Sequence, residues 1–534
     1  MASTRERPKV FAREATGLVR RISVLDAFLA NLGFISIALG LLTYTSSMYV
    51  FPGSDAVLAT LLATVFCVIA SLMYTLFAWA MPRSGGDYVL MSRGLHPLLG
   101  FVVSFHFTFW VVFMTGVFTN WVTTLAIAPS ILILGTVTSN PFLIGVANGL
   151  DDPNIIVMIG LIVIAAVTAL MVRGIRATFT VNNILNIVGL VGVAIVIVLL
   201  VSSTNADFVN AFSRFGSYDG VISAAQAAGY SPEGPNPFIA TLGVMPFVFA
   251  SIGFGVITAS FAGEVKSAKK NLLYSQLGST IVAGIFLAVL GALAVGVFGY
   301  KFLGSITALD YSGAKEYPFS SPYVPSFFNL FASILTKNAL LLWVLAIGYV
   351  ASLIVLIMPA SMIGTRNIFA WSFDRVIPTK LSTINERFHT PVYAIITVVI
   401  IQLVGLVSYT YAHSTAVSIV AGGGVAEIIS FIVVAVAATV FPFRKKELYK
   451  SSPANINVGP IPLISILGII SFLFYLLLEF FYFTNPVYGA ISPLFLNVVA
   501  FSLLAPIVIY VVSYFHRKSK GIPLSMAFKE IPPE

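Results

Sequence analysis

The chain has 534 residues, of which 58% are hydrophobic and only 9% are charged, and its mean hydropathy is +0.98. Soluble domains carry about 25% charged residues, so this composition excludes an ordinary soluble protein. The formal net charge is +9, but the basic residues are spread over many short loops, which argues against a nucleic-acid-binding protein. The single cysteine, Cys67, excludes an intrachain disulfide and a cysteine-based metal cluster.

Long stretches without Asp, Glu, Lys or Arg predict the fold class. Residues 56–82, 177–206, 271–300 and 338–365 are such stretches, and each exceeds the roughly 20 residues that a helix needs to cross a bilayer. A helix also satisfies its own backbone hydrogen bonds, which lipid cannot do. The sequence therefore predicts an all-α polytopic membrane protein with about 12 transmembrane helices.

In chain order, a basic tail of residues 1–21 precedes the first span, which is too long for the apolar core of a cleaved signal peptide. The predicted spans are residues 24–50, 55–80, 98–128, 154–172, 178–202, 239–263, 271–300, 338–365, 391–411, 416–441, 460–482 and 490–514. After the third span, Pro129 and Pro141 favour an external loop up to residue 150. We expect the external segments 203–238 and 301–337 to be irregular or partly helical.

The basic residues predict the orientation. With the N-terminus in the cytosol, the cytosolic segments contain every Lys and Arg except four, which are Arg214, Lys301, Lys315 and Lys337. This bias is typical of proteins in a cell membrane, where cytosolic loops carry the excess of positive charge. Both termini are then cytosolic, since the C-terminal tail 517–534 is also basic.

Two spans are interrupted by glycine. The first reads NLGFISIALG, with Gly33 and Gly40, and the sixth contains Pro246, Gly253 and Gly255. Helices that break near the middle of the membrane expose backbone groups that bind substrates and ions in transporters. The alternative is close packing of unbroken helices, for which membrane proteins also use glycine.

Two loops resemble those of the amino acid–polyamine–organocation transporters. MPRSGGDYVLMSRGLHPLLGF follows the second span and TRNIFAWSFDRVIPTKLSTINERFHTP follows the eighth. The matching residues of the two loops are Pro82, Gly85, Gly86, Tyr88, Arg93, Pro97 and Gly100, and then Arg366, Phe369, Ala370, Asp374, Pro378, Arg387, Thr390 and Pro391.

The resemblance implies a leucine-transporter-like fold, with a 5+5 inverted repeat and two extra C-terminal helices. The first repeat would be residues 22–238, the second 239–441, and the extra helices 442–516. It also implies alternating access around a site between broken helices one and six. The substrate carboxylate would be bound at Gly33, Phe34, Ile35, Ser36 and Ile37, and the amino group at Phe249, Gly253, Phe254 and Gly255.

This chain departs from the family pattern in helices one, five and six. In helix six, Gly255 takes the place of a frequent acidic residue, and a later acidic pair is reduced to Glu264. Residues 35–39 stand where the family has a tight Gly-x-Gly in helix one. Gly189 stands in helix five where some proton-coupled members have a lysine, so that amine is absent here.

Few ionisable groups fall inside the predicted spans. Glu427 lies in the middle of span ten, where a carboxylate costs roughly 2.5–3.5 kcal/mol, so it is the candidate coupling group or a structural hydrogen-bonding group. We interpret His106 as a packing histidine, Asp26 as part of a helix cap and Glu479 as interfacial.

The predicted function is secondary active transport of amino acids through a cell membrane. Alternatives are a carrier of polyamines or other organic cations, and a sensor of the same fold that does not transport. We find no nucleotide-binding motif and no nucleophile–base pair, so an ATP-driven pump or an enzyme is not predicted. The expected partners are an amino acid, the lipid bilayer and, unless the chain exchanges substrates without a coupled ion, a proton or sodium. No cofactor, metal or nucleic acid is expected.

Overall fold

The computed structural model describes residues 20–312, 328–385, 387–485 and 492–521, together with residues 524 and 528. Its helices up to residue 227 are α1 (Val24–Ile35), α2 (Ile37–Val50), α3 (Ala56–Ala80), α4 (Gly86–Gly94), α5 (Pro97–Trp121), α6 (Ala128–Val137), α7 (Pro141–Gly149), α8 (Pro153–Arg173), α9 (Ile175–Val201), α10 (Asn205–Phe212) and α11 (Tyr218–Ala227). The later helices are α12 (Pro237–Ile252), α13 (Ala268–Phe298), α14 (Tyr300–Ser312), α15 (Phe328–Ile334), α16 (Ala339–Phe373), α17 (Val392–Tyr411), α18 (His413–Arg444), α19 (Lys446–Ser451), α20 (Leu463–Thr484) and α21 (Pro493–Ser519). A two-residue antiparallel pair, β1 (Asn457–Val458) with β2 (Ile461–Pro462), is the small non-helical addition.

The membrane crossings match the predicted spans. Within the described ranges, ten helical segments are long and apolar enough to cross a membrane. Two shorter apolar helices, α1 and α12, belong to the first and sixth crossings, each of which is interrupted. The chain is therefore an all-helical polytopic membrane protein, and crossings 1 and 6 are interrupted between separate helical segments.

Contacts between loops define the two faces of the molecule. Ile22 pairs with Val265 in a parallel bridge, Thr390 Oγ1 donates to Val172 O (3.2 Å), and Ser513 Oγ donates to Arg375 O (3.2 Å). We call this side the N-terminal face. Residues 20 and 521, near the two ends of the described part of the chain, both belong to it.

Crossing 3 is longer than predicted. The sequence predicted an end near residue 128 because of Pro129, but the helix continues through a π-helical segment, Val122–Ile127, into α6. The Ala128 N–H donates to Thr123 O, five residues back. This wider turn comes directly before Pro129, which lacks an N–H, so the proline is accommodated without ending the helix.

The face opposite to the N-terminal face is covered by short helices rather than irregular loops. α10, α11, α14 and α15 occupy the two segments that we expected to be irregular or partly helical. They pack through aromatic rings, including Phe208 against Phe298 (centroids 4.7 Å apart) and Tyr218 stacked on Phe302 (4.7 Å). Residues 313–327 of the second segment lie outside the described part of the chain.

Candidate functional site

The first crossing breaks at one residue. α1 ends at Ile35, Ser36 adopts a left-handed conformation (φ 46°, ψ 89°), and α2 begins at Ile37. The Ser36 N–H donates to Leu32 O and Gly33 O, both at 3.2 Å. Because α2 starts anew, the N–H groups of its first turn have no partners within the helix and carry the positive end of its dipole. The predicted break in helix one is confirmed, and it lies at Ser36 rather than at a glycine.

The sixth crossing unwinds over a longer stretch. α12 ends at Ile252, a turn follows Gly253, and two short 3-10 helices, Ile257–Ser260 and Ala262–Glu264, lead toward α13. A Cβ on Gly255 would collide with Thr280 Oγ1 of α13, so only glycine permits this close approach. The predicted break in helix six is confirmed as well.

The two breaks lie against each other. Ser251 Oγ donates to Ile35 O at 2.7 Å and so satisfies a carbonyl at the C-terminal end of α1. The Phe34 and Phe254 rings meet edge to face with centroids 5.3 Å apart. Backbone N–H groups of α2 and backbone carbonyls of the unwound stretch therefore belong to one region at the centre of the molecule.

Aromatic rings surround this region. Phe34, Phe249, Phe254, Phe431 and Tyr475 form what we call the central aromatic cluster. Phe431 lies 5.7 Å from Phe249, Phe254 and Tyr475 alike, measured between ring centroids. The cluster has no charged member, and all five side chains are buried. Sequence reasoning missed Phe431 and Tyr475, because α18 and α20 carry no motif that sets these two rings apart from other apolar residues.

A small cavity lies behind the break in crossing 1. Its volume is about 30 Å³, and its lining includes Gly33, Ser36, Asn186, Gly189 and Ser352. This is room for one or two waters or an ion, not for an amino acid. Gly189 of α9 thus faces the break in α1, and its position is the one at which the resemblance places a lysine in other proteins.

A buried polar network connects the unwound stretch to its neighbours. Asn31 of α1 exchanges two hydrogen bonds with Thr258, both at 3.2 Å. Gln276 Nε2 donates to Thr258 Oγ1 (3.2 Å), and Thr75 Oγ1 donates to Gln276 Oε1 (2.7 Å). These four side chains are buried and tie α1, α3 and α13 to the 3-10 turn below the break.

Two buried ion pairs join helices and loops at the N-terminal face. Arg366 of α16 donates from Nε and Nη2 to the two carboxylate oxygens of Glu264, at 2.7 and 2.9 Å. Arg93 of α4 contacts Asp374 at 2.6 Å. The two loops that carry the family resemblance supply three of these four residues. The first loop also reaches the unwound stretch, since the Gly85 N–H donates to Ser260 O (2.8 Å).

Two buried glutamates lie on α18 and α20, two helices that pack against each other. Glu427 is 8% exposed and Glu479 is 7% exposed, and both lie roughly 25 Å along their helices from the N-terminal face. The Tyr482 hydroxyl lies against Gly424, and Tyr482 interacts electrostatically with both glutamates. The Glu479 carboxylate oxygens are buried and accept no hydrogen bond from the described residues. The Glu479 side chain is therefore buried within the protein, which corrects its interpretation as an interfacial residue outside the core.

Two further ionisable side chains, His106 and Asp26, have structural roles. His106 Nδ1 lies 2.8 Å from Ser502 Oγ, and its Nε2 lies 2.7 Å from Ala426 O. Asp26 forms a capping box with Ser23, since each side chain accepts a hydrogen bond from the other residue's backbone N–H. The interpretations of His106 as a packing residue and Asp26 as part of a cap are confirmed.

Two similarities to known proteins agree with this geometry. The family model described as amino acid permease matches residues 22–515, which is most of the chain. The branched-chain amino acid permease BcaP of Bacillus subtilis (strain 168) is 22% identical over 385 residues, covering 71% of this chain and 72% of that protein. With its broken first and sixth crossings, the chain belongs to the amino acid permease family and is a multi-pass secondary transporter of amino acids.

Proposed function

We propose that this permease carries amino acids with apolar side chains. The central aromatic cluster is the observation that supports this proposal. It lines the region between the two breaks without a charged side chain, and a cationic or anionic substrate side chain would lose its hydration there without a partner. The Bacillus subtilis relative is named for branched-chain amino acids, which agrees with an apolar site.

We also propose how the ends of the substrate are held. Its carboxylate would accept hydrogen bonds from N–H groups near Gly33, Phe34, Ile35, Ser36 and Ile37, at the positive end of α2. Its amino group would donate to carbonyls of the stretch that includes Phe249, Gly253, Phe254 and Gly255. The two repeats, crossings 1 to 5 and 6 to 10, would then move around this site in alternating access.

Uptake into proteoliposomes tests the substrate. Leucine, isoleucine and valine should accumulate, whereas lysine and glutamate should not. Leucine methyl ester should compete poorly, because it lacks the negative charge that the α2 N–H groups stabilise. Phe254→Ala should lower leucine uptake, while the same exchange at the lipid-facing Phe480, 59% exposed, should not. Preferred uptake of lysine or a polyamine would contradict the proposal, and binding without accumulation would indicate a sensor.

The N-terminal face is proposed to be cytosolic. All described Lys and Arg residues except Arg214, Lys301 and Lys337 belong to segments on this face. A cysteine at Ser382 should then be protected from an impermeant thiol reagent in intact cells, and one at the exposed Ser217 should react. The native Cys67 is buried and should react little with the thiol reagent, so it adds little background labelling. The reverse labelling pattern would invert the orientation.

Coupling to protons through Glu427 is our proposal for the driving force. Glu427 precedes Phe431 of the central aromatic cluster by one helical turn, and so it can sense occupancy of the site. The described groups near it include Tyr482, which interacts electrostatically with both Glu427 and Glu479, and His106, whose Nε2 lies 2.7 Å from the carbonyl oxygen of the neighbouring Ala426. Neither ion pair of the described residues involves these carboxyls, and two unpaired carboxylates inside a membrane are costly, which favours binding of a proton.

Glu427→Gln tests the coupling, since glutamine keeps the shape but does not titrate. Wild-type uptake should respond to an imposed pH gradient, and the variant should lose this response while still exchanging labelled for unlabelled substrate. Glu479→Gln is the matched comparison on α20. If Glu427→Gln keeps the wild-type response, Glu427 is not the coupling group. If the wild type ignores the gradient and requires sodium, or only exchanges substrates, proton coupling itself is wrong.

A further inference from the structure

A second cavity lies at the N-terminal face, away from the central aromatic cluster. Its volume is about 470 Å³, and it is bounded by the segment before α1, the first turns of α9 and the loop before α13. Each of these three segments contributes one basic residue to the lining: Arg21, Arg176 and Lys266. Their side chains are exposed. Three positive charges from distant parts of the sequence therefore converge on one cavity.

The one acidic residue of the lining, Asp26, offsets only one of these three positive charges. The Asp26 carboxylate already accepts hydrogen bonds from the Ser23 N–H (2.9 Å), Ser23 Oγ (2.7 Å) and Asn183 Nδ2 (2.7 Å). The ion pairs found among the described residues are Glu264–Arg366 and Arg93–Asp374, so none involves the three basic residues of the cavity. The cavity thus has an excess of positive charge and the size to admit an anionic group.

The lipid-facing side of α9 leads directly to this cavity. Ile184, Ile187, Val191 and Val198 are 55%, 56%, 48% and 64% exposed, and their spacing places them on one face of the helix. Arg176 and Thr180 continue the same face at intervals of four residues and line the cavity. An apolar stripe that ends at a basic cavity matches a molecule with acyl chains and a negatively charged headgroup.

We propose that this cavity binds the headgroup of an anionic phospholipid, whose phosphate is held by Arg21, Arg176 and Lys266 while its acyl chains lie along α9. Basic pockets between membrane helices recognise such headgroups in general. The apolar stripe favours a lipid over a soluble phosphate. A bound headgroup would bridge the start of crossing 1, crossing 5 and the loop after crossing 6, and would stabilise the closed arrangement of the N-terminal face. The proposal depends on neither the substrate nor the coupling ion.

Thermal stability in nanodiscs tests the proposal. The full-length protein is placed in phosphatidylcholine alone or in an equal mixture with phosphatidylglycerol, so that both leaflets contain the anionic lipid and the orientation does not matter. The melting temperature should rise in the mixture for the wild type. Arg176→Gln/Lys266→Gln should lose most of this rise, and native mass spectrometry should show roughly 30-fold weaker phosphatidylglycerol binding.

The control removes the same charge elsewhere on this face. Lys445→Gln/Lys446→Gln changes two exposed residues that do not line the cavity, and it should keep the wild-type response. Equal losses in both pairs would overturn the proposal in favour of diffuse charge attraction. Binding of inorganic phosphate in pure phosphatidylcholine that matches the effect of the lipid would also overturn it. If the double variant does not fold, each single variant should show a roughly fivefold loss, and an unchanged affinity in both would overturn the site.

Discussion

The centre of the molecule and its N-terminal face hold the sixth crossing by opposite kinds of interaction. Above the break, Phe249 and Phe254 pack among aromatic rings without a charged group. Below it, Glu264 is fixed by a two-point ion pair with Arg366 and by backbone hydrogen bonds from the Arg21 and Ile22 N–H groups. One end of the unwound stretch therefore depends on shape and the other on charge.

The two ends of the unwound stretch should therefore respond differently when the helices move. Ring packing is non-directional and tolerates rearrangement into other close-packed arrangements. A bidentate pair between arginine and a carboxylate has one geometry, and separating it inside the protein leaves uncompensated charge. We expect the central aromatic cluster to adapt to different substrates, whereas the N-terminal face should switch between a closed and an open arrangement.

The largest loss of stability is expected when the ion pair between Glu264 and Arg366 is broken. Arg366→Ala leaves the Glu264 carboxylate buried without its partner, and we expect a loss of about 3–5 kcal/mol in the free energy of unfolding. Thermal unfolding of the purified protein measures it. The double variant Glu264→Met/Arg366→Met replaces both charges by apolar side chains and should recover most of this loss. A double variant as unstable as the single one would show that packing, not unpaired charge, is responsible.

An effect on stability of comparable size, dependent on pH, is expected at Asp87 in α4, outside the membrane crossings. Burial raises the pKa of this carboxyl from 3.8 to about 7. As pH rises from about 4 to 7, the unfolded chain loses the proton first, so the stability of the folded state falls, and above pH 7 the loss is constant. Each pKa unit corresponds to about 1.4 kcal/mol.

Asp87→Asn removes this titration. The melting temperature of the variant should therefore be higher than that of the wild type at pH 8, and this difference should become smaller toward pH 5. Melting curves across this range are the measurement. A constant difference between the two proteins at all pH values would show that Asp87 does not titrate in this window.

The smallest loss of stability is expected for a substitution in the central aromatic cluster. Phe254→Leu keeps an apolar side chain of similar size, and we expect it to cost less than about 1.5 kcal/mol. The variant should fold and bind, but its order of preference among leucine, isoleucine and valine should change, as competition assays would show. A loss of stability as large as that of Arg366→Ala would contradict the contrast between the two ends.

The sequence predicts the helical part of this fold well, because lipid imposes a simple requirement on length and polarity. Glycines 33, 253 and 255 indicated both breaks, and two loop motifs indicated the family. The exact position of the break in crossing 1 was predicted less well. It lies at Ser36, which adopts a left-handed conformation that serine rarely takes. The π-helical turn before Pro129 was also missed, because proline normally ends a helix.

The side chains that complete the candidate site were harder to predict. Phe431 and Tyr475 come from late crossings and meet Phe249 only through long-range packing. Glu479 lies five residues before the end of α20, and its distance from the helix end suggested an interfacial position. Its burial depends on the helices that pack against α20, which spacing along the chain does not reveal.

The parallel bridge between Ile22 and Val265 has a mechanical consequence. The Ile22 N–H donates to Glu264 O and the Lys266 N–H donates to Ile22 O, at 3.1 and 3.0 Å, so the start of α1 is tied to the end of crossing 6. α1 has 12 residues and is roughly 18 Å long, so a movement of this helix about the break at Ser36 would be largest at its N-terminal end. Turning it by about 10° would move its tip by about 3 Å, as much as a hydrogen-bond length. The two broken crossings must therefore move together, or the hydrogen bonds of this bridge must break before either crossing can move.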